Sequence, residues 1–368
     1  MQSLIQLEDF LQKTGPKLES VTLPIPLGID GMGNYVLEDL RTLGHILIGG
    51  VTGSGKSMFY HTTICTLIQK YSPQDLQFYL LDLKRVELMP YDGIPHLISK
   101  VETEPEACLV GLAKMTVEKN SRVRILEKKG CKNIEEYNDR FAKEKMPYLV
   151  VIIDTFSDLC VSCFKDRFEQ LVRHLSENAQ SVGIHLIMCD SRTSEALFTK
   201  KIKACFPTKI AFEVVEKAYS IDLLGMAGAE ELLGRGDMLI LYPFSKKAMR
   251  LQAPMISYED AKLIVAVKKS AQALGHLNPD SHEILSCMGI YKPSQEQVAA
   301  VERIMQRENV LTPQEITLAT YKEGVTHQLY GKTVSSEVYE AVYMKEVLGE
   351  ADEEQEKLYD EFKKSLRN

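Results

Sequence analysis

The chain has 368 residues, 45% hydrophobic and 26% charged, a makeup that excludes large-scale disorder and suits one large domain with a smaller appendage. A net charge of −7 excludes a nucleic-acid coat built on bulk positive charge and leaves local basic patches open. No apolar run approaches the roughly 18 residues of a membrane span, and Met1 to Gly15 carries Glu8, Asp9 and Lys13 in place of an apolar core, so neither a span nor a signal peptide is expected.

In chain order, residues 1–22 are expected as a helical lead-in. Strand-like runs follow at His45–Gly50, Gln77–Asp82, Tyr148–Asp154, His185–Cys189, Thr208–Val214 and Met238–Tyr242. They are short and show little alternation, the pattern of strands buried on both faces. Helical stretches lie between them at Lys56–Lys70, Glu104–Lys129 and Lys165–Val182. The last carries Phe168, Leu171, Val172, Leu175 and Ala179 on one helical stripe. Strands alternating with helices predict an α/β fold whose sheet is mostly parallel, with helices on both faces. A helix over Tyr258–Leu274 ends this region, and a boundary is expected near residue 275. The remainder reads as a small helical appendage, with helices over Gln295–Arg307 and after the cap Thr312-Pro313-Gln314-Glu315. Eight cysteines are scattered along the chain; the close pair Cys160 and Cys163 lacks a second pair or a flanking histidine. Reduced thiols in a cytoplasmic protein are expected, not a metal site.

Gly50-Val51-Thr52-Gly53-Ser54-Gly55-Lys56-Ser57 fits GxxxxGK[ST] in full, directly after one strand and before a helix. Its glycines let the backbone curl so that N–H groups face anionic oxygens, and the following helix adds its positive end. All eight residues are therefore expected to cradle the phosphates of ATP, Lys56 reaching the β and γ groups and Ser57 binding Mg²⁺. A second Mg²⁺ ligand must come from an acid ending a neighbouring strand. Asp154, at the end of YLVVIID, is that residue; Asp82, ending QFYLLD, is a weaker candidate.

From about Leu23 to Ser257 the chain resembles the motor domain of the FtsK/SpoIIIE DNA translocases, in the FtsK–HerA group of P-loop ATPases. The resemblance is carried by Pro26-Leu27-Gly28, His45, the loop Gly50–Ser57, Asp82-Leu83-Lys84, Glu87-Leu88 and Tyr91-Asp92-Gly93-Ile94-Pro95-His96-Leu97. It continues through Tyr137-Asn138, Gly183-Ile184-His185-Leu186, Ala227-Gly228-Ala229-Glu230, Leu232-Leu233-Gly234 and Gly236-Asp237-Met238-Leu239. It implies a RecA-like P-loop NTPase over residues 23–274 that assembles as a hexameric ring and threads double-stranded DNA.

Three positions depart from the family pattern, all at catalytic places. Where the family has Asp-Glu, this chain has Asp154-Thr155, and Thr155 cannot accept a proton at neutral pH. Where the family has Thr-Gln-Arg, it has Asp190-Ser191-Arg192. Where the family places an arginine that reaches the neighbouring subunit's nucleotide, it has Ile221. A positioned base is worth about 10²–10⁴ in rate and an arginine finger about 10³–10⁵, so binding is expected to survive and hydrolysis to be impaired. Asp154, Asp158 and Arg192 are the candidate catalytic residues; Asp190, Arg235 and Arg250 are further groups able to compensate. Lys200, Lys201 and Lys203 form a basic cluster suited to DNA phosphates. The expectation is an ATP-binding translocase-like protein, as a homo-hexamer or in a mixed ring with an active relative, recruited to a membrane only by a partner. The alternative is a nucleotide-binding structural or regulatory subunit of a DNA-transfer, segregation or secretion complex.

Overall fold

Apolar runs with no polar face have to be covered on both sides, and the computed structural model shows how this is done. It describes residues 4–160, 165–191, 199–273, 327–329 and 332–334, with Lys357, Asp360, Glu361 and Lys364. The strands are β1 (Pro24–Asp30), β2 (Tyr35–Asp39), β3 (Ile46–Gly49), β4 (Leu76–Asp82), β5 (Tyr148–Asp154), β6 (Ile184–Asp190), β7 (Thr208–Phe212), β8 (Asp237–Leu241) and β9 (Met249–Gln252). They form one nine-stranded sheet in the order β2-β1-β9-β8-β7-β3-β6-β5-β4, with helices on both faces.

The sheet has two halves. From β7 to β4 every neighbouring pair is parallel, and every residue of β5 and β6 is buried. From β7 to β2 every pair is antiparallel. The parallel half is the expected one. Strands β1, β2 and β9 were not expected. β1 opens on Pro24, holds Pro26 and Gly28, and shifts register between those two residues. β2 is half-exposed and β9 has two exposed residues in four.

The helix Lys56–Lys70 is buried at every position from Phe59 to Ile68. A helix enclosed all round has to satisfy most of its polar side chains within itself, and of its three buried threonines only Thr63 leaves its hydroxyl without a hydrogen-bond partner. Accordingly the Thr62 hydroxyl donates to the Phe59 carbonyl at 2.9 Å and that of Thr66 to the Thr62 carbonyl at 2.7 Å. Its last residue, Lys70, donates to the carbonyls of Leu18, at 2.8 Å, and Val21. These close the lead-in, whose helices are Leu7–Lys13 and Gly15–Ser20.

The chain divides into two compact units: Met1–Cys108 with Lys145–Lys292, and Leu109–Glu144 with Pro293–Asn368. The first holds the sheet. In the second, Asn133 caps the helix Ile134–Arg140 by accepting from the Glu136 amide at 2.9 Å. Two short strands there, His327–Leu329 and Lys332–Val334, pair antiparallel in a stretch expected to be helical. The helix expected over Lys165–Val182 ends at Ser176, and a turn of 3-10 helix covers Gln180–Val182. The helices expected over Gln295–Arg307 and after Thr312, and the boundary near residue 275, lie outside the described residues.

Candidate functional site

A parallel sheet gathers the carboxyl ends of its strands on one edge, and here that edge is acidic. β4, β5 and β6 end in Asp82, Asp154 and Asp190, with Asp82 beside Asp154 and Asp190 beside Gly49 in register. The loop Gly50–Ser57 leaves β3 on this same edge, where the strand order makes β3 the neighbour of both β6 and β7.

Gly50, Gly53 and Gly55 have φ of 154°, 82° and 122°, the backbone curl that L side chains resist. The loop is braced from outside by two backbone bonds. The Val51 amide donates to the Glu213 carbonyl at 2.8 Å, and the Gly236 amide donates to the Ser54 carbonyl at 2.8 Å. Inside it, the Val51 carbonyl accepts from the Ser54 hydroxyl at 2.7 Å and from the Lys56 ammonium at 2.8 Å. Thr52 and Gly53 form the exposed tip, whereas Ser54 and Lys56 are buried. Burial lowers the Lys56 ammonium from its ordinary value, with the negative charge of Asp154 among the groups opposing it.

Asp154 is buried, and its carboxyl is pushed up to about 6 by burial first and by the adjacent Asp82 second. Hydrogen bonds from Tyr60 and Thr155 and the charge of Lys84 pull it back. Asp82 spends one oxygen on the amides of Val86 and Leu88, at 2.9 and 2.8 Å. Its other oxygen, Oδ1, is buried without a hydrogen-bond partner. Two neighbouring carboxylates, one with an orphaned oxygen, beside a serine hydroxyl are hard oxygen donors of the kind Mg²⁺ takes, so Ser57 and Asp154 fit that ion. Among the described residues no group of three or more His, Cys, Asp or Glu is arranged to hold a metal. Mg²⁺ does not require one, since phosphates and waters complete its shell.

Thr155 stands at the end of the β5 motif with φ 56°, an unusual backbone for a β-branched residue. Its hydroxyl donates to Asp154 Oδ2 at 3.2 Å, and its amide donates to the Cys189 carbonyl at 2.9 Å. Asp190, a candidate compensating acid, accepts from the Ser157 amide at 2.6 Å and so fixes the start of the next helix. Asp158 stands in that short helix, Ser157–Cys160. Arg192 and Cys163 lie outside the described residues. Arg250 forks onto Asp237, Nε to Oδ1 at 2.9 Å and Nη2 to Oδ2 at 2.5 Å. Ile221 is 46% exposed. Among the basic residues, Lys200 and Lys201 are exposed, while Lys203 donates to the Asp222 carbonyl at 2.8 Å.

One participant was quoted in the resemblance without a role. Glu87 accepts from the Ser57 hydroxyl at 2.7 Å. Only its place in the run Asp82 to Leu88 marked it in the sequence, and no spacing rule connects it to a residue 30 positions earlier.

Comparison with known proteins places this geometry. The FtsK/SpoIIIE family matches residues 6–195. The chain is 38% identical over 272 residues to the DNA translocase FtsK of Clostridium tetani, covering 73% of this chain and 36% of that protein. It is 37% identical over 271 residues to the DNA translocase SftA of Bacillus subtilis, covering 73% and 28%. The chain thus spans about a third of the length of these curated relatives. Among solved structures it resembles the pCW3 conjugation coupling protein TcpA, monomer form with ATPgS (TM-score 0.59, 23% identity, 67% of this chain and 70% of that one). It also resembles the cytoplasmic domain of the Thermomonospora curvata type VII secretion ATPase EccC (TM-score 0.58, 24% identity, 71% and 32%). These two likenesses concern the fold. With the phosphate loop, the acidic strand ends and an ordered match over the N-terminal half, the chain belongs to the FtsK/SpoIIIE family.

Proposed function

We propose that this chain binds ATP with Mg²⁺ in the loop Gly50–Ser57 and, by itself, hydrolyses it slowly, as the nucleotide-binding part of a double-stranded DNA translocase. The observation that carries the reading is the contrast at the end of β5: Asp154 is kept, and Thr155 follows it where a carboxylate would polarise water. The loop amides, Lys56 and Ser57 bind and orient the phosphates; Asp154 and Ser57 hold the cation. When bound, Mg²⁺ supplies charge neutralisation at the β and γ phosphates. The Thr155 hydroxyl, already turned onto Asp154, has no capacity to take a proton from water.

The family resemblance supports assembly as a hexamer, alone or with an active relative supplying an arginine and a base. The named activity of the curated relatives supports duplex DNA as the partner. A nucleotide-binding regulatory or structural subunit is the second reading, favoured by the exposed Ile221 at the place of the family's arginine. No helix among the described residues is long and apolar enough to cross a membrane.

The test is equilibrium binding of a fluorescent ATP analogue with and without Mg²⁺, together with ATP turnover with and without duplex DNA. Binding that Lys56→Ala abolishes, and turnover well below about 1 s⁻¹, the lower end of ordinary enzymes, is the expected result. DNA-stimulated turnover at or above that rate refutes the impairment, and absence of binding refutes the whole reading.

A further inference from the structure

A serine that ligates a cation does so through an oxygen lone pair, and its one proton then needs an acceptor elsewhere. In this site the Ser57 hydroxyl is turned onto a glutamate and not onto the strand-terminal Asp154. The glutamate is Glu87, whose Oε1 lies 2.7 Å from Ser57 Oγ. The Tyr60 hydroxyl lies 3.3 Å from the same oxygen. With its one proton directed at Glu87, Ser57 keeps a lone pair for a ligand.

Glu87 is held for this task on every side. The amides of its two chain neighbours, Val86 and Leu88, are both tied to the carboxylate of Asp82, which fixes the backbone that carries it. Its second oxygen, Oε2, is 3.5 Å from His61 Nε2. His61 follows Ser57 by one helical turn, so the two residues present themselves on one face of the helix. The other ring nitrogen of His61 meets the Tyr91 hydroxyl at 2.7 Å, and both rings are buried. The side chain of Glu87 itself is 36% exposed, so its contact with His61 is not a device for neutralising a core charge.

We propose that Glu87 is a positioning residue for the divalent cation: by accepting the Ser57 proton, and being clamped by His61 and Tyr91, it aims a Ser57 lone pair at Mg²⁺. Glu87 does not ligate the ion; it fixes the ligand that does. This inference rests on the reading of the loop as a nucleotide–Mg²⁺ site.

The experiment separates the two. Affinity of the full chain for a fluorescent ATP analogue is measured in EDTA and across a Mg²⁺ titration, for the native chain, Glu87→Ala, Glu87→Gln and His61→Ala. Melting temperature without nucleotide serves as the folding control. Partners that orient a metal ligand are worth about 10–100-fold in metal affinity. Glu87→Ala is therefore expected to raise the Mg²⁺ midpoint by at least tenfold, with affinity in EDTA and melting temperature unchanged. Glu87→Gln, which still accepts a proton from Ser57, and His61→Ala should shift it less. An unchanged Mg²⁺ midpoint in Glu87→Ala overturns the proposal and leaves the nucleotide site standing. An equal loss in EDTA and in Mg²⁺ also overturns it, by assigning Glu87 to loop structure. Failure of the native chain to bind under either condition overturns the nucleotide reading beneath it.

Discussion

Gly55 and Gly236 meet backbone against backbone: a Cβ on Gly55 would lie 2.6 Å from the Gly236 nitrogen and 2.8 Å from its Cα. The contact locks the last turn of the phosphate loop beneath the start of β8. Gly55→Ala meets a main chain that cannot rotate away and a φ of 122° that alanine resists. A loss of about 2 kcal/mol or more is expected, read by denaturant unfolding, together with loss of nucleotide binding. Unchanged stability would mean that the loop is free to move off Gly236.

Thr155→Glu restores a carboxylate at the end of β5. Turnover should rise by a factor on the order of 10² or more, read as phosphate release with duplex DNA present. No rise would assign the deficit to Ser191 or Ile221 instead. Stability should fall, because Thr155 is buried and a further carboxylate beside Asp154 and Asp82 adds desolvation and like-charge repulsion.

Acid should destabilise the fold through its buried histidines. Burial lowers His45 and His96 to about 4 and His185 to about 3. The unfolded chain takes up these protons near pH 6.5, so between there and about 4 it binds more protons than the native state, and stability falls as pH falls. Each of His45 and His96 is worth about 3 kcal/mol over that window. Asp154, raised to about 6, acts in the opposite sense, gaining stability as it protonates, but the histidines outnumber it. Urea unfolding at pH 7.5 and pH 5 should therefore show a loss of several kcal/mol. A flat profile would contradict the burial of these rings.

Lys200 and Lys201 are exposed, whereas the Lys203 ammonium is engaged by the Asp222 carbonyl. The double variant Lys200→Ala/Lys201→Ala should weaken duplex binding and lower the salt slope by about two, read by fluorescence anisotropy at several salt concentrations. Lys203→Ala should chiefly lower the melting temperature. If all three affect the salt slope alike, the contact to Asp222 gives way to DNA.

The parallel half of the fold was legible because β3, β5 and β6 are mostly apolar runs with little alternation, the pattern of double burial. The antiparallel half was legible only in β8, expected over Met238–Tyr242; elsewhere its signals are diluted. β1 contains Pro24, Pro26 and Gly28, and β9 is Met249-Arg250-Leu251-Gln252, too short and mixed to stand out. At the site, the loop and Asp154 could be read from spacing, since adjacent residues share one chemical task. The link from Ser57 to Glu87 could not, because it depends on how Asp82 gathers the amides of Val86 and Leu88. Nor does any residue pattern announce the left-handed backbone of Thr155.

The helix Lys56–Lys70 is in effect a strut. Its 15 residues span about 22 Å at the usual rise. Its front end is the phosphate loop, and Lys70 at its rear is fastened to the carbonyls of Leu18 and Val21. Enclosed from Phe59 to Ile68, it has no slack along its length in which to absorb a displacement. A shift imposed on it at Lys56 is therefore passed through Lys70 to the carbonyls of Leu18 and Val21 in the lead-in.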